Sequence, residues 1–119
     1  MNKYKFYKEK STRKCIPSIE PLPSDEYIEI KAGIEDAALE KHIPVYKKEE
    51  NKIIVTVGSI EHPMTSEHYI MWIAQINNDK IIIKELSPED SPQAEFDYIK
   101  DSEIYAYCNL HGLWKKDVE

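Results

Sequence analysis

The sequence predicts an all-β protein: an antiparallel β-sandwich with one short helix and an extended N-terminal arm. Short β-branched or aromatic runs are separated by turn residues at regular spacing, which is typical of sandwiches. Strands do not alternate with helical segments as they do in a parallel sheet, and the chain contains no internal repeat. A chain of 119 residues is long enough for one domain with its own core.

The predicted strands lie between residues 52 and 108. Lys52–Val57 is β-branched and ends at Gly58, and residues 68–76 form a longer apolar and aromatic run. Residues 77–79, Asn-Asn-Asp, predict the turn of a hairpin. Three further strands are predicted at residues 80–84, residues 94–98 and Glu103–Cys108, which would be the last strand.

The predicted helix covers residues 35–41, because Pro44 ends the helical pattern after about two turns. Residues 1–26 differ from the rest: a lysine-rich beginning is followed by three prolines between residues 16 and 23. Since proline favours extended and unpaired backbone, we interpret residues 1–26 as an arm attached to a domain of residues 27–119. Aromatic side chains of the arm that could dock onto this domain are Tyr4, Phe6 and Tyr7.

Composition and charge argue against several classes of protein. A formal net charge of −6 is unfavourable for a protein whose main partner is nucleic acid. No apolar run approaches the ~20 residues of a transmembrane helix, and the basic N-terminus lacks the apolar stretch of a signal peptide. With two cysteines in the chain, we expect a protein of the reducing cytoplasm that does not bind membranes.

Four histidines and one cysteine stand near the ends of predicted elements. His42 follows the helix, His62 lies in a loop, and His68 opens a strand. Cys108 and His111 lie three residues apart after the last predicted strand. Imidazole and thiolate suit zinc, copper, iron and nickel, so the spacing does not choose a metal. Five donors exceed the four of a structural zinc site, and a five-coordinate iron with one open position would accommodate all five.

Two other interpretations stay open on the residues alone. A small buried cysteine beside a surface histidine is common without any metal, so the histidines need not converge. A zinc-binding or other non-redox β-sandwich that works as an interaction module would use the same residue types.

Four segments, in order, resemble the superoxide reductase family, which comprises the neelaredoxins and the catalytic domain of the desulfoferrodoxins. The segments are EKHIP at 40–44, GSIEHPM at 58–64, EHYI at 67–70 and YCNLHGLW at 107–114. The resemblance covers roughly residues 28–119. Each motif is weak alone, whereas the four in order, without a missing ligand, are specific.

The resemblance implies an immunoglobulin-like β-sandwich with one mononuclear non-haem iron that alternates between Fe²⁺ and Fe³⁺. His42, His62, His68 and His111 would be the equatorial ligands and Cys108 the axial thiolate. Such a protein is a superoxide reductase, which reduces superoxide by one electron to hydrogen peroxide. The resemblance also implies a rubredoxin-like electron donor and a homo-oligomer, either a dimer or a tetramer.

The resemblance further assigns roles beside the ligands. Glu40 would ligate ferric iron from a mobile loop, and Lys41 would attract superoxide and organise the water that delivers protons. In the turn after Cys108, backbone N–H groups would hydrogen-bond the sulfur and Gly112 would permit the bend. Trp114 would pack beside the centre as a hydrophobic shield.

Residues 1–26 depart from the family pattern. The stretch KYKFYK at 3–8 resembles the start of the desulforedoxin-like module, which holds a second iron with four cysteines. Cys15 is the one cysteine of this segment, so a tetrathiolate site cannot form within it. We therefore interpret residues 1–26 as a degenerate remnant without an iron site. Cys15 is most simply a free thiol, with an intermolecular disulfide or a shared metal as alternatives.

Overall fold

The structure is a computed structural model that describes residues 3–33 and 39–119. Within these residues the chain forms ten strands and one short helix, and every strand pair is antiparallel. No helix in the described part of the chain has the length and apolar character needed to cross a membrane. The elements are β1 (Lys5–Glu9), β2 (Cys15–Ser18), β3 (Tyr27–Ile30), α1 (Leu39–His42), β4 (Pro44–Glu49), β5 (Lys52–Val57), β6 (Ile70–Asn77), β7 (Lys80–Glu85), β8 (Gln93–Asp97), β9 (Glu103–Cys108) and β10 (Gly112–Asp117).

Two of the three sheets form the predicted sandwich. A four-stranded sheet in the order β10-β9-β6-β7 packs on a three-stranded sheet in the order β4-β5-β8. On β5, buried Ile53, Val55 and Val57 alternate with more exposed residues, so this strand turns one face to the core. Ile73 and Ala106 meet them from the other sheet. The all-β prediction is confirmed.

The remaining sheet, in the order β2-β1-β3, covers the outer side of the four-stranded sheet. Phe6 of β1 is 4% exposed, and its ring centroid lies 4.6 Å from that of Tyr105 and 5.9 Å from that of Trp72. The hydroxyl of Tyr107 donates a hydrogen bond of 2.6 Å to the carbonyl oxygen of Arg13. Because β6 is covered on both faces, its sequence is an almost unbroken apolar run rather than an alternating one.

The N-terminal segment is extended, as predicted, but its backbone is paired rather than free. Phe6 stands opposite Pro17 of β2 and Ile30 of β3. Proline is accommodated because β2 is an edge strand, where a backbone N–H donor is not required. The expected docking of aromatic side chains is confirmed by the burial of Phe6 and Tyr7.

The predicted strands occur with ends shifted by at most two residues, whereas β1 to β4 and β10 were not predicted. β4 ends in three charged residues and pairs with β5 alone. β10 also ends in three charged residues and lies at a sheet edge, so Glu103–Cys108 is not the last strand. The charged halves of β4 and β10 lack the apolar pattern on which a sequence prediction depends. Of the predicted helix, α1 contains residues 39–41, while 35–38 lie outside the described residues.

We expect Phe6→Ala to lower the free energy of unfolding by about 3–5 kcal/mol, because it empties a buried ring site between two sheets. Denaturant unfolding monitored by tryptophan fluorescence measures the change. Ile28→Ala, at a side chain of the same sheet that is 48% exposed, is the control and should stay within about 0.5 kcal/mol of wild type. Equal losses in both variants would contradict the packing role of Phe6.

Candidate metal centre

All five predicted ligands meet at one end of the sandwich. The ligand atoms of His42, His62, His68 and Cys108 lie within 4.8 Å of one another. His111 joins them through its Nδ1 atom, which lies 3.1 Å from Nε2 of His42 and 4.0 Å from Sγ of Cys108. These side chains come from α1, the loop between β5 and β6, and the turn between β9 and β10.

The imidazole nitrogens have the spacing of ligands that share an ion. Nε2 of His42 lies 3.1 Å from Nε2 of His62 and 3.1 Å from Nδ1 of His111. Two nitrogens bound at right angles to one ion, each at about 2.1 Å, are about 3 Å apart. The ring of His42 makes angles of 77° and 88° with the other two rings, so the three rings do not stack.

His62 and His68 each have a ring nitrogen that is available to a metal ion. Nδ1 of His62 donates a hydrogen bond of 2.7 Å to the carbonyl oxygen of Pro63, which leaves Nε2 with the lone pair in the neutral ring. Nε2 of His68 is buried and has no hydrogen-bond partner among the described residues. A buried polar atom without a partner is costly, and a bound cation would satisfy both nitrogens. The residues therefore fit a metal ion.

Burial favours the neutral form of two of the imidazoles, those of His62 and His68. It lowers the pKa of His62 to about 4, and the charges of His42, His68 and His111 act in the same direction, whereas the Pro63 carbonyl opposes them. Burial also lowers the pKa of His68, with smaller contributions from His111, His42 and Lys41. Neutral imidazole is the form that binds metals, so no proton has to be removed from these two rings at pH 7.

The turn between β9 and β10 prepares Cys108 as a ligand. Burial raises the pKa of its thiol, whereas hydrogen bonds from the backbone N–H groups of Leu110 and His111 lower it. Gly112 pairs with Cys108 and has a φ of 79°, a conformation that residues with a side chain rarely adopt. Since a metal ligand has to be the thiolate, binding releases the thiol proton. The predicted N–H contacts to sulfur are confirmed.

Trp114 packs against the site from β10. It is 1% exposed, and its ring centroid lies 5.1 Å from that of His42. Its Nε1 donates a hydrogen bond of 3.0 Å to the carbonyl oxygen of His111. Trp114 thus holds two of the histidines and keeps water from one side of them, as predicted.

The end of α1 lies directly on the loop that follows β5. The N–H of Ile60 donates a hydrogen bond of 2.9 Å to the carbonyl oxygen of Glu40. A Cβ atom at Gly58 would lie 2.6 Å from this oxygen and 3.0 Å from the carbonyl oxygen of Ile43. Any other residue at position 58 would push this backbone away, so glycine keeps His42 in place.

The side chains of Glu40 and Lys41 are exposed at the end of α1. The positive charge of Lys41 contributes, after burial and two neighbouring imidazoles, to the lowered pKa of His68. The Glu40 carboxylate is not among the described ligand atoms that lie within 4.8 Å of one another. Its role as an iron ligand stays a prediction.

Two polar residues without a predicted role, Thr65 and Asn109, hold the loop of His68. The backbone N–H of Thr65 and that of His68 each donate to the other residue's carbonyl oxygen, at 3.0 and 3.2 Å. The side-chain amide of Asn109 bonds to the backbone of Glu67 and Tyr69. The available signal was the position of Asn109 between Cys108 and His111 in the sequence.

Comparison with known proteins identifies relatives over most of the chain. A family model described as desulfoferrodoxin matches residues 34–117, which include all five candidate ligands. A desulfoferrodoxin of Clostridium acetobutylicum is 46% identical over 95 residues, which are 80% of this chain and 76% of that protein. A superoxide reductase of Pyrococcus abyssi is 37% identical, and the match covers 76% of this chain and 94% of that protein. The crystal structure of the superoxide reductase from Treponema pallidum is similar with a TM-score of 0.76 and 33% identity, over 96% of this chain and 98% of that one.

We expect the metal-free protein to lose stability as the pH falls from about 6.5 to 5. In this range the unfolded chain protonates His62, whose ordinary pKa is 6.5, whereas the folded protein does so only near pH 4. The unfolded state therefore binds more protons and is favoured, and above pH 6.5 the contribution of His62 to stability is fully present.

Thermal unfolding of the metal-free protein at a series of pH values measures this loss. His62→Gln removes the titrating group and should flatten the dependence, while His68 retains a smaller part of it. A melting temperature that is the same at pH 6.5 and pH 5 in the wild type would contradict the expectation.

Proposed function

The chain belongs to the desulfoferrodoxin family, and on this premise we propose that it is a superoxide reductase with one mononuclear non-haem iron. The reaction is the one-electron reduction of superoxide, which takes up two protons and leaves as hydrogen peroxide. The observation that carries the proposal is the meeting of four imidazoles and one thiol at one buried point. The proposed iron ligands are His42, His62, His68, His111 and Cys108.

The donor set supports iron in this site. Five donors exceed the four of a structural zinc site, and imidazole and thiolate both suit iron. When bound, iron supplies the one-electron exchange between Fe²⁺ and Fe³⁺. The thiolate of Cys108 donates electron density to the metal, and the N–H groups of Leu110 and His111 moderate this donation.

We propose that Lys41 draws superoxide to the site. The chain has a formal net charge of −6, so its overall field repels an anion. A local cation nonetheless acts on an anion within the Debye length of ~8 Å, and the charge of Lys41 is close enough to His68 to help lower its pKa. Lys41 would also order the water that supplies protons, and Glu40 would ligate ferric iron from the exposed end of α1.

We propose that electrons come from a rubredoxin-like donor that docks beside the metal centre. Three apolar side chains near the ligands support this: Leu39, Ile60 and Leu110 are 57%, 53% and 48% exposed. Leu39 and Ile60 flank Glu40, and Leu110 lies between two ligands. A homo-oligomer and a cytoplasmic location complete the proposal.

For residues 1–26 we propose a remnant of a desulforedoxin-like module without its own iron. Cys15 is buried and has no disulfide partner among the described residues. Burial raises the pKa of its thiol to about 12, so it stays protonated and unreactive at neutral pH. Contacts between aromatic rings, such as that of Phe6 with Tyr105, hold this segment on the sandwich instead of a metal.

A non-redox zinc-binding module is the second candidate. His42, His62, His68 and Cys108 form a compact group of four donors, and four is the number that structural zinc takes. Such a protein would be colourless and would not respond to superoxide.

Iron-loaded protein is expected to bind about one iron per chain and to be blue in the ferric form, because the thiolate transfers charge to the metal. It should consume superoxide and release hydrogen peroxide without dioxygen. Cys108→Ser should abolish both the visible band and the activity, since the sulfur donor is lost. Cys15→Ser is the matched control and should keep both.

Superoxide that decays at the uncatalysed rate in the presence of iron-loaded wild type would refute the reductase. A colourless protein that retains zinc and shows no redox response would favour the zinc module instead.

Lys41→Ala should keep the iron and slow the second-order reaction with superoxide roughly tenfold, the lower end of electrostatic steering. The salt dependence of the rate should weaken at the same time. Lys80→Ala is the control, because it changes the net charge by the same amount. Lys80 is exposed at the start of β7, where it pairs with Asn77, and its removal should leave the rate unchanged. Pulse radiolysis at several ionic strengths measures both rates, and equal rates in the two variants would remove the steering role.

A further inference from the structure

Asn109 lies between the ligands Cys108 and His111 and reaches across to the loop of a third ligand. Its side-chain Nδ2 donates a hydrogen bond of 3.0 Å to the carbonyl oxygen of Glu67. Its Oδ1 accepts one of 3.0 Å from the N–H of Tyr69, and its own N–H donates to the carbonyl oxygen of Tyr69 at 3.2 Å. The two residues that it holds stand directly before and after His68.

The backbone alone does not make this connection. The pairing of β6 with β9 is shifted between Trp72 and Ile70, and it ends where Ile70 meets Cys108. Beyond this point the amide of Asn109 takes the place of a peptide group, because it offers one donor side and one acceptor side. The turn that carries two ligands is thereby tied to the backbone on both sides of His68.

Three other hydrogen bonds among the described residues stay within the loop of His68. The side-chain hydroxyl of Thr65 bonds to the backbone of His68, which lies three residues later in the same loop. The N–H of Ile70 bonds to the sulfur of Met64, again within the loop. These contacts shape the loop, whereas those of Asn109 set its distance from Cys108.

We propose that Asn109 is a positioning residue, which fixes His68 relative to Cys108 and His111 and so sets the affinity for the metal and the electronic character of the thiolate–metal bond. The inference rests on the proposed metal centre but not on the reaction with superoxide. Outer contacts that orient metal ligands typically contribute 10–100-fold to affinity. Asn109 touches no ion itself and acts through the ligands on either side of it.

Aspartate gives the most specific test at position 109, because its side chain has nearly the same shape as that of asparagine. Asn109→Asp keeps an acceptor for the N–H of Tyr69, but an ionised carboxylate cannot donate to the carbonyl oxygen of Glu67. Asn109→Ala removes the two side-chain hydrogen bonds without adding charge, and it keeps the backbone bond to Tyr69. Asn51→Asp, in the exposed turn between β4 and β5, introduces the same charge away from the ligands and is the matched control.

The test loads each full-length protein with Co²⁺ as a spectroscopic probe. Competition with a chelator measures affinity, and the thiolate-to-cobalt absorption band is recorded at full occupancy. We expect Asn109→Asp and Asn109→Ala to bind Co²⁺ about 10–100-fold more weakly and to shift this band, while Asn51→Asp matches wild type. A loss of stability alone would not move the band of the fully loaded protein.

Affinities within twofold of wild type and an unmoved band in both Asn109 variants would overturn the inference. If circular dichroism shows that one of these variants does not fold, the other decides by the same two measurements. If neither folds, Asn109→Gln, which keeps both a donor and an acceptor on a longer side chain, decides in their place. Wild-type protein that binds Co²⁺ but leaves superoxide untouched when loaded with iron would refute the reductase alone, whereas wild type that binds no Co²⁺ would refute both proposals.

Discussion

Four imidazoles and one thiol are held within a few ångströms of one another at the end of a hydrophobic sandwich. His42 and His62 are 3% and 1% exposed, and Cys108 is fully buried. Water does not compensate groups at this depth, and imidazole nitrogens 3.1 Å apart cannot all carry protons toward one another. A shared cation resolves this conflict, because it accepts every lone pair and favours the thiolate over the thiol. The rest of the structure keeps these atoms together.

The sheets provide the rigid part of that support. β9 is buried along nearly its whole length, since the β5 sheet covers one face and the N-terminal sheet the other. Tyr107, next to the ligand Cys108, stacks on Trp72 and bonds to the backbone of Arg13. The position of the thiol therefore depends on Arg13, which lies 94 positions before Tyr107 in the chain.

The loops provide the rest of this support through contacts between the segments that carry the ligands. Gly58 lets the end of α1 lie against the loop after β5, and Asn109 ties the loop of His68 to the turn between β9 and β10. Lys41 adds a positive charge at the exposed edge of a protein whose net charge is −6. The buried donors thus define which ion fits the site, while in the proposed function Lys41 at the exposed end of α1 attracts the anion.

The sequence by itself determined the all-β class, the strands Lys52–Val57 and Glu103–Cys108, and the five residues that meet at the site. These features are local: alternating or continuous apolar runs and short motifs depend on neighbouring residues. The site came from four ordered motifs that resemble a family, because spacing alone left zinc and metal-free alternatives open. The tertiary structure alone decided the pairing of the N-terminal strands, the existence of the edge strands β4 and β10, and the contacts of Asn109. Their partners lie far away in the chain, and the free energy of such contacts arises only once folding has brought the two segments together.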